Sequence, residues 1–334
     1  MLNSVPQKIQ QHNSNIMASK KYRFLLGLIT LILSTTVSAQ TPVWSDSSYY
    51  PASRLPQYNE FMNNLYAFPP KPRSMWEVGL KVGAPSIAGD VASNFPTFGW
   101  GLHVRKALGY SLSLRAEYVN GTATGLNWQE ALNYMKNPTW RDNGYVGNTV
   151  TPSGDRLPAT DYVFYNYQTK FSDIGLQAIF NFSNIKFHSA KTKVGLYVLA
   201  GVGYTWYNTK VNALNGSANY TSEFNNIANG TINYDNKKDI RKALKNALDD
   251  SYESEAQSND DRDGTKRFSG TLGAGISYRI SRRFNIALED RLTFLKDDLV
   301  DGQQWSEHPH GDAAPTRNFD SINFLSLGLN INIF

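Results

Sequence analysis

The carboxy-terminal segment, residues 318–334, alternates apolar and polar side chains from one residue to the next. Because successive side chains of a β-strand point to opposite faces, this pattern predicts a strand whose two faces meet different environments. Similar alternation recurs in many earlier segments, so the chain is restricted to a sheet with one apolar and one polar face. In the last segment the apolar face carries Leu325, Leu327, Leu329, Ile331 and Ile333.

The amino terminus has the layout of a secretion signal. Lys20, Lys21 and Arg23 precede an apolar run at 24–33, and small or polar residues then lead to Ala39. We expect residues 1–39 to be a signal peptide that is cleaved after Ala39, with Met17 as an alternative start. A retained membrane anchor is the other interpretation, but a spanning helix needs about 20 apolar residues and this run is shorter.

Composition agrees with export to a membrane without a helical anchor. The mean hydropathy is −0.43, as in a barrel whose lumen, turns and loops dilute the lipid-facing residues. The chain has no cysteine, which excludes disulfides and thiol chemistry. Its formal net charge of +5 is modest and favours solvated loops over nucleic-acid binding, and contact with anionic lipopolysaccharide could also use it.

Seven further segments show the same alternation and are predicted to be strands. They cover residues 76–83, 98–105, 110–118, 174–182, 194–206, 272–280 and 284–294. Residues 40–74 contain several prolines, which cannot donate in a β-ladder, so we expect this stretch to be a periplasmic lead-in segment. The barrel is therefore predicted to occupy residues 75–334.

The predicted connections alternate between short and long. Those near 107–110, 183–190 and 281–283 are short, whereas those at 121–165, 208–264 and 297–317 are long, and a helix is expected at 237–248. Outer-membrane barrels have short periplasmic turns and long external loops. The predicted fold is all-β: a transmembrane antiparallel up-and-down β-barrel of about eight strands with long external loops.

A barrel of about eight strands has a lumen just wide enough for side chains to fill it. The inward positions carry charges of both signs, which must be paired when they are buried. We therefore expect a structural network of ion pairs, with a conductive path as the alternative. The predicted members are Glu77, Lys81, Arg105, Arg115, Glu117, Asp173, Lys193, Arg279, Glu289 and Arg291.

Asp290 departs from the alternation. Its position in the strand points it at lipid, where a charge costs roughly 2 kcal/mol near the bilayer midplane. Three explanations remain open. The residue lies near an interface, the strand contains a bulge, or a partner protein covers the carboxylate.

Candidate metal and catalytic residues have only partial patterns. Asn259, Asp261 and Asp263 match the opening of a calcium loop, but Gly270 stands where the closing glutamate is expected, so a solvated acidic loop is the alternative. His308 and His310 are interpreted as loop residues. His103 has no serine placed beside it by the sequence, so no catalytic residue and no cofactor are expected.

Several short motifs follow one another along the chain: YNEFMN at 58–63, PPKPRSMWEVG at 69–79, IAGDV at 87–91, FGWGL at 98–102, GAGI at 273–276, RFNI at 283–286, LEDRLTF at 288–294 and LVDGQ at 299–303. In order and spacing they resemble the OmpA-type β-barrel proteins of Bacteroidota over residues 40–334, except in the two longest loops. Members of that family usually continue into a periplasmic domain that binds peptidoglycan. Because this chain stops at Phe334, we do not expect that tethering function here.

The sequence therefore favours a non-enzymatic, OmpA-like outer-membrane barrel with a structural or surface-interaction role. The alternative is an accessory subunit of a larger outer-membrane assembly or export complex, and the third hypothesis is a small channel. Expected partners are outer-membrane lipid, lipopolysaccharide and other outer-membrane proteins. Nucleic acid is not an expected partner.

Overall fold

The structure is a computed structural model that describes residues 59, 63, 75–109, 111–153, 155–184, 193–256, 264–281, 283–306, 314–315 and 319–333. The predicted signal peptide, nearly all of the predicted lead-in segment, and the calcium and histidine candidates at 259–263 and 308–310 lie outside these residues.

Eight long antiparallel strands form the barrel, as predicted. Each is hydrogen-bonded to its neighbours in the chain, and the first strand pairs with the last, from Trp76 opposite Ile333 to Ala88 opposite Ser321. The sheet therefore closes without a free edge. The strands are β1 Met75–Ala88, β2 Ser93–Ala107, β3 Leu112–Leu126, β4 Asn166–Asn181, β5 Val194–Val211, β6 Thr265–Arg279, β7 Phe284–Leu295 and β8 Ser321–Ile333.

Several strands are longer than the hydropathy pattern indicated. β3 continues to Leu126 and β4 begins at Asn166, so the predicted loop at 121–165 is shorter by several residues at its start. The extra residues carry polar outward side chains such as Asn120 and Thr122, and the contrast between the two faces fades there. Hydrogen bonding therefore continues beyond the point where alternation can be read from hydropathy.

The connections make the two ends of the barrel different. Residues 108–111, 182–193 and 280–283 join strands at one end, here called the short-turn end. The opposite long-loop end carries residues 127–165, 212–264 and 296–320, together with the short β1–β2 connection. Three helices lie in these loops: α1 Pro138–Asp142, α2 Thr221–Ala228 and α3 Lys237–Ala247.

None of the helices in the described part of the chain has the length and apolar character required to cross a membrane.

Two-residue strands occur within the long loops. Thr149–Val150 pairs with Arg156–Leu157, Leu214–Asn215 with Ala218–Asn219, and Trp305–Ser306 with Ala314–Pro315. Ser254–Glu255 pairs with the end of β5 and so extends the barrel wall. The first three pairings thus each lie within one loop, and the fourth attaches the loop 212–264 to the barrel.

Candidate functional site

Six charged side chains meet in the middle of the barrel interior, three of them cations and three carboxylates. Arg115 binds Glu289 with two hydrogen bonds, Nη1 to Oε2 at 2.7 Å and Nη2 to Oε1 at 2.8 Å. Lys81 contacts Glu117 and also donates to Glu289 Oε1 at 2.8 Å. All six side chains are at most 4% exposed, and they are Lys81, Arg115, Glu117, Asp173, Glu289 and Arg291. This group is called the central cluster below.

Arg291 links the two halves of the central cluster. Its Nη1 lies 2.9 Å from Glu117 Oε2 and 3.1 Å from Asp173 Oδ1. Asp173 also accepts a hydrogen bond from Thr205 at 2.6 Å. Because equal numbers of positive and negative groups are buried together, the cluster is electrically balanced, which lowers the cost of removing these charges from water.

Neutral side chains complete the hydrogen bonding of the central cluster. The Gln177 amide donates to Glu117 at 2.8 Å and its oxygen accepts from Arg115 Nε at 2.7 Å. The hydroxyl of Tyr197 donates to Glu289 Oε2 at 2.8 Å. The carboxylates thus accept from amides and hydroxyls as well as from cations, as buried charges require.

A second charged group lies nearer the short-turn end. Glu77 faces Arg105 at 3.3 Å and His103 at 3.8 Å, and it accepts a hydrogen bond from Asn285 at 3.1 Å. Asn330 in turn donates to Asn285 at 2.8 Å. Polar contacts therefore continue from the central cluster toward the barrel mouth.

The remaining two of the ten predicted lumen residues lie at the short-turn mouth of the barrel. Lys193 and Arg279 line a cavity of about 180 Å³ at the short-turn mouth, together with Glu77, Arg105 and Asn332. Lys193 is exposed because it immediately precedes the first residue of β5. The structure thus brings eight predicted residues into two groups and leaves these two at the entrance.

A short segment, residues 299–303, crosses the long-loop end of the barrel and is called the strap. The carbonyl of Val300 accepts hydrogen bonds from Thr169 of β4 at 2.6 Å and from Thr209 of β5 at 2.9 Å. Val300, Asp301 and Gln303 are buried. The strap therefore closes the lumen above the central cluster.

Two carboxyl groups hold the strap in place. Asp320 accepts from the backbone N–H groups of Val300 at 2.9 Å and Asp301 at 3.2 Å, and Asp301 accepts from Val91 at 2.9 Å. Burial raises the pKa of Asp301 to about 7. Burial, together with the neighbouring Asp301 carboxylate, raises the pKa of Asp320 to about 9. At neutral pH the pair therefore retains a proton.

Aromatic side chains from the loops 127–165 and 212–264 pack above the strap in a buried core, here called the cap. Trp140 of α1 lies at its centre, with ring centroids 5.2 Å from Tyr145, 6.0 Å from Tyr165 and 6.4 Å from Phe224 of α2. The helix predicted at 237–248 is α3, and one of its faces is buried in this core. Its Ile240 and Leu244 are buried in the same core, because apolar residues four apart share one side of a helix.

The outer surface of the barrel is an apolar belt between two aromatic bands. Near the long-loop end the band contains neighbouring rings such as Trp100 and Tyr118, whose centroids are 5.7 Å apart, and Tyr204 and Phe268 at 5.4 Å. The band near the short-turn end contains Trp76, Phe180, Phe182, Tyr278 and Phe284. Lipid-facing barrel surfaces have this composition, with aromatic girdles at both interfaces.

Asp290 interrupts the apolar belt. It is exposed on the outer face of β7, in regular register with Ala274 and Leu325, so the alternative of a bulge at this position is wrong. Its Oδ1 accepts a hydrogen bond of 2.7 Å from the amide of Asn323 on β8. The flanking residues Glu289 and Arg291 point inward to the central cluster.

Sequence reasoning did not identify the cap or the strap. The LVDGQ motif at 299–303 carried part of the family resemblance, but no structural role was assigned to it. The clustering of Trp and Tyr in 128–145 was the available signal for an apolar core in the loops. Among the described residues, no group of three or more His, Asp or Glu side chains is arranged to hold a metal ion.

No protein-family model and no curated protein matches the chain. Among solved structures, Neisserial surface protein A is similar with a TM-score of 0.34 and 10% identity, over 77% of this chain and 97% of that one. Ail of Yersinia pestis has a TM-score of 0.34 and 9% identity, over 78% and 100%. The N-terminal β-barrel domain of Pseudomonas aeruginosa OprF has a TM-score of 0.31 and 10% identity, over 79% of this chain and 100% of that one. These TM-scores and identities are too low to support any conclusion about this chain. The assignment of a barrel rests on the strand register.

Proposed function

We propose that the chain is a non-enzymatic, OmpA-like outer-membrane barrel with a structural and surface-interaction role. The apolar belt between two aromatic bands supports insertion into a bilayer, because only such a surface is stable against lipid. The predicted signal peptide at 1–39 supports export, with cleavage after Ala39. In this orientation the short-turn end faces the periplasm and the cap faces the outside.

The observation that carries the proposal is the filled interior. The central cluster occupies the lumen with balanced, hydrogen-bonded charges, and the strap and the cap cover its long-loop end. A barrel of this size has little room beyond its own side chains. We therefore propose that it does not conduct ions and that the small-channel hypothesis is the weaker one.

The outer surface offers a place for contact with lipopolysaccharide. Lys170 of β4, Lys210 of β5 and Lys266 of β6 point outward beyond the aromatic band on three neighbouring strands. Lys170 is in register with Asn208 on β5, and Lys266 with Trp206 on the same strand. These ammonium groups would lie at the level of the outer-leaflet phosphates, where cations are favoured.

The surface-interaction role would belong to the cap. It presents apolar groups that are about half exposed, namely Val146, Leu157 and Tyr234, on a core that holds them in fixed positions. Lys237 lies over the ring of Tyr234, 3.4 Å from its centroid. Exposed apolar side chains on an ordered platform are typical of interaction sites.

Two measurements test the proposal together. We expect the mature protein to begin at Gln40 and to migrate with the outer membrane on a density gradient. We also expect no step conductance when the purified, heat-modifiable barrel is added to planar bilayers. Discrete channel steps that persist after removal of contaminating porins would contradict the non-conducting role, and migration with the inner membrane or the soluble fraction would contradict the location.

The second candidate function is the accessory subunit of a larger outer-membrane assembly. The exposed carboxylate of Asp290 favours it, because a lone barrel gains nothing from a charge in its lipid-facing belt. The two candidates are compatible, since a capped barrel can also serve as one member of an assembly.

A further inference from the structure

The outer surface of the barrel is not uniform around its circumference. Among the outward side chains that the structure describes between the two aromatic bands, Asp290 is the one ionisable group, and apolar Leu288 and Leu292 flank it along β7. Phe294 follows at the long-loop side and Phe284 begins the strand at the other. Asp290 therefore lies within the belt and away from its two edges.

Further polar groups lie close to Asp290 on the outer face. Asn323, its hydrogen-bond partner, is opposite Ser86 of β1 in the β1–β8 register. Small residues stand beside these polar ones, Ala84 opposite Leu325 and Ala274 opposite Asp290. Polar groups and small side chains thus share the outer face of β6, β7, β8 and β1, here called the polar seam. Such surfaces let another membrane-embedded backbone approach closely.

The hydrogen bond from Asn323 does not neutralise the carboxylate. Within the described part of the chain no Lys, Arg or His forms an ion pair with Asp290, although the carboxylates of the central cluster all have such partners. An ionisable residue retained inside a membrane is commonly paired, because low dielectric strengthens the attraction to an opposite charge. A cation or a strong hydrogen-bond donor from outside the chain would therefore stabilise the Asp290 carboxylate.

Among the described residues, a second copy of the chain offers no cation at the depth of Asp290. Its outward Lys106 lies over the ring of Trp76, 5.0 Å from the centroid, at the short-turn band, and its outward Lys266 lies beyond Phe268. Neither is at the depth of Asp290. Lipid headgroups are separated from Asp290 by Leu292 and Phe294 on the same face of the strand.

We infer that the polar seam around Asp290 is a lateral docking site for a second, different outer-membrane protein, whose lipid-facing surface places a Lys or Arg opposite the carboxylate. The inference rests on the proposed membrane location and deepens the accessory-subunit candidate. Asn323 holds the carboxylate in position, and the small residues Ala84 and Ala274 allow the partner to come close.

Site-specific photocrosslinking in the native cells tests the inference. A photoreactive amino acid replaces Leu292 or Leu325 beside Asp290, and matched probes replace Leu112 or Leu114 on β3, on the opposite side of the barrel. We expect the seam probes to give one adduct with one outer-membrane protein and the β3 probes to give none. Asp290→Asn, which keeps the shape and removes the charge, should reduce this adduct at least tenfold.

A charge exchange then identifies the pairing. Asp290→Lys should abolish the adduct, and changing the partner's lipid-facing Lys or Arg to Asp should restore it. Heat modifiability on gels checks that each variant has folded, and Leu288→Asn serves as a control for any polar change on this face.

Each outcome decides between explanations. An adduct with a second copy, adducts with lipid alone, equal labelling from β3, or an adduct that survives Asp290→Asn would overturn the docking site while leaving the barrel in the membrane. If the protein does not fractionate with the outer membrane at all, the proposed function fails first.

Discussion

The ring of Tyr197 on β5 passes over the backbone of β6 inside the barrel, and its hydroxyl group donates a hydrogen bond of 2.8 Å to Glu289 of β7. It can do so because Gly275 stands opposite it, where a β-carbon would come within 2.3 Å of the ring. One residue without a side chain therefore allows an aromatic residue to reach the central cluster from two strands away.

Gly275→Ala is expected to destabilise the barrel. The new methyl group would displace the Tyr197 ring and weaken its bond to Glu289, so the free energy of unfolding should fall by about 1–3 kcal/mol. Gly270→Ala is the matched control on the same strand, since nothing lies within 4 Å of its β-carbon position. Urea unfolding in lipid vesicles measures both variants, and equal values for the two would contradict the packing described here.

Glu117→Gln is expected to be among the most damaging single changes in the interior. It leaves three cations facing two carboxylates, and breaking a buried ion pair from one side typically costs about 3–5 kcal/mol. Arg141→Met is the control, because Arg141 and Asp142 form an ion pair whose side chains are 51% and 53% exposed. The control should shift the unfolding free energy by less than about 1 kcal/mol. A comparable loss in both would mean that the central cluster contributes no special stability.

Trp140→Ala should loosen the cap without unfolding the barrel. Loss of a buried tryptophan typically costs about 3–5 kcal/mol, and here the loss falls on a core that the loops build among themselves. We expect trypsin to cleave the loops 127–165 and 212–264 at least tenfold faster while heat modifiability persists. Val146→Ala, at a side chain that is 50% exposed, should leave the cleavage rate unchanged. Loss of the heat-modifiable form would instead show that the barrel depends on the cap.

The strap should hold more tightly in acid than in base. The pKa values of Asp301 and Asp320 are raised in the folded protein, to about 7 and about 9, from an unfolded value near 4. Below pH 4 both carboxyl groups are protonated in the folded and in the unfolded protein. As the pH rises above 4, they lose their protons in the unfolded protein before they do so in the folded one. Stability therefore falls as pH rises from about 4 to about 9, by at most about 1.4 kcal/mol per pH unit for each proton.

Asp320→Asn tests this pH dependence, because it removes one titrating group and keeps one hydrogen-bond acceptor for the strap. We expect the difference in unfolding free energy between pH 5 and pH 9 to be smaller in the variant than in the parent chain. Asp239→Asn, at an exposed site on α3, is the control and should change nothing. A parent and variant with the same slope would show that the strap carboxyl groups titrate normally.

How far the sequence predicts this structure depends on periodicity. The alternation of residues such as Leu327 and Gly328 indicates both the strands and the direction of each side chain, and the fold prediction is confirmed. The sequence did not predict the end of β3 after Tyr118 or the start of β4 before Ile174. Outward residues in these two segments contact headgroups or water and need not be apolar. The cap was missed because Trp140, Tyr145 and Phe224 come from irregular loops, where neither a period of two nor a helical period links them.

Alternation along each strand identifies which charged side chains point into the barrel, but it does not identify which of them form ion pairs. Arg105 and Arg115 occupy opposite positions of one strand pair, yet one binds Glu77 and the other Glu289. Long side chains reach across the lumen, so their partners depend on the barrel's curvature and not on neighbouring positions in the sheet.

The central cluster has a consequence for how the barrel assembles. Arg291 and Glu289 on β7, near the carboxy terminus, supply partners to Lys81 and Arg115 from β1 and β3 and to Asp173 from β4. A sheet that lacks β7 would leave Asp173 without the Arg291 guanidinium, and Lys81 and Arg115 would share Glu117. The full set of ion pairs therefore forms only when β7 has joined the sheet, so the interior is completed late in the assembly of the barrel.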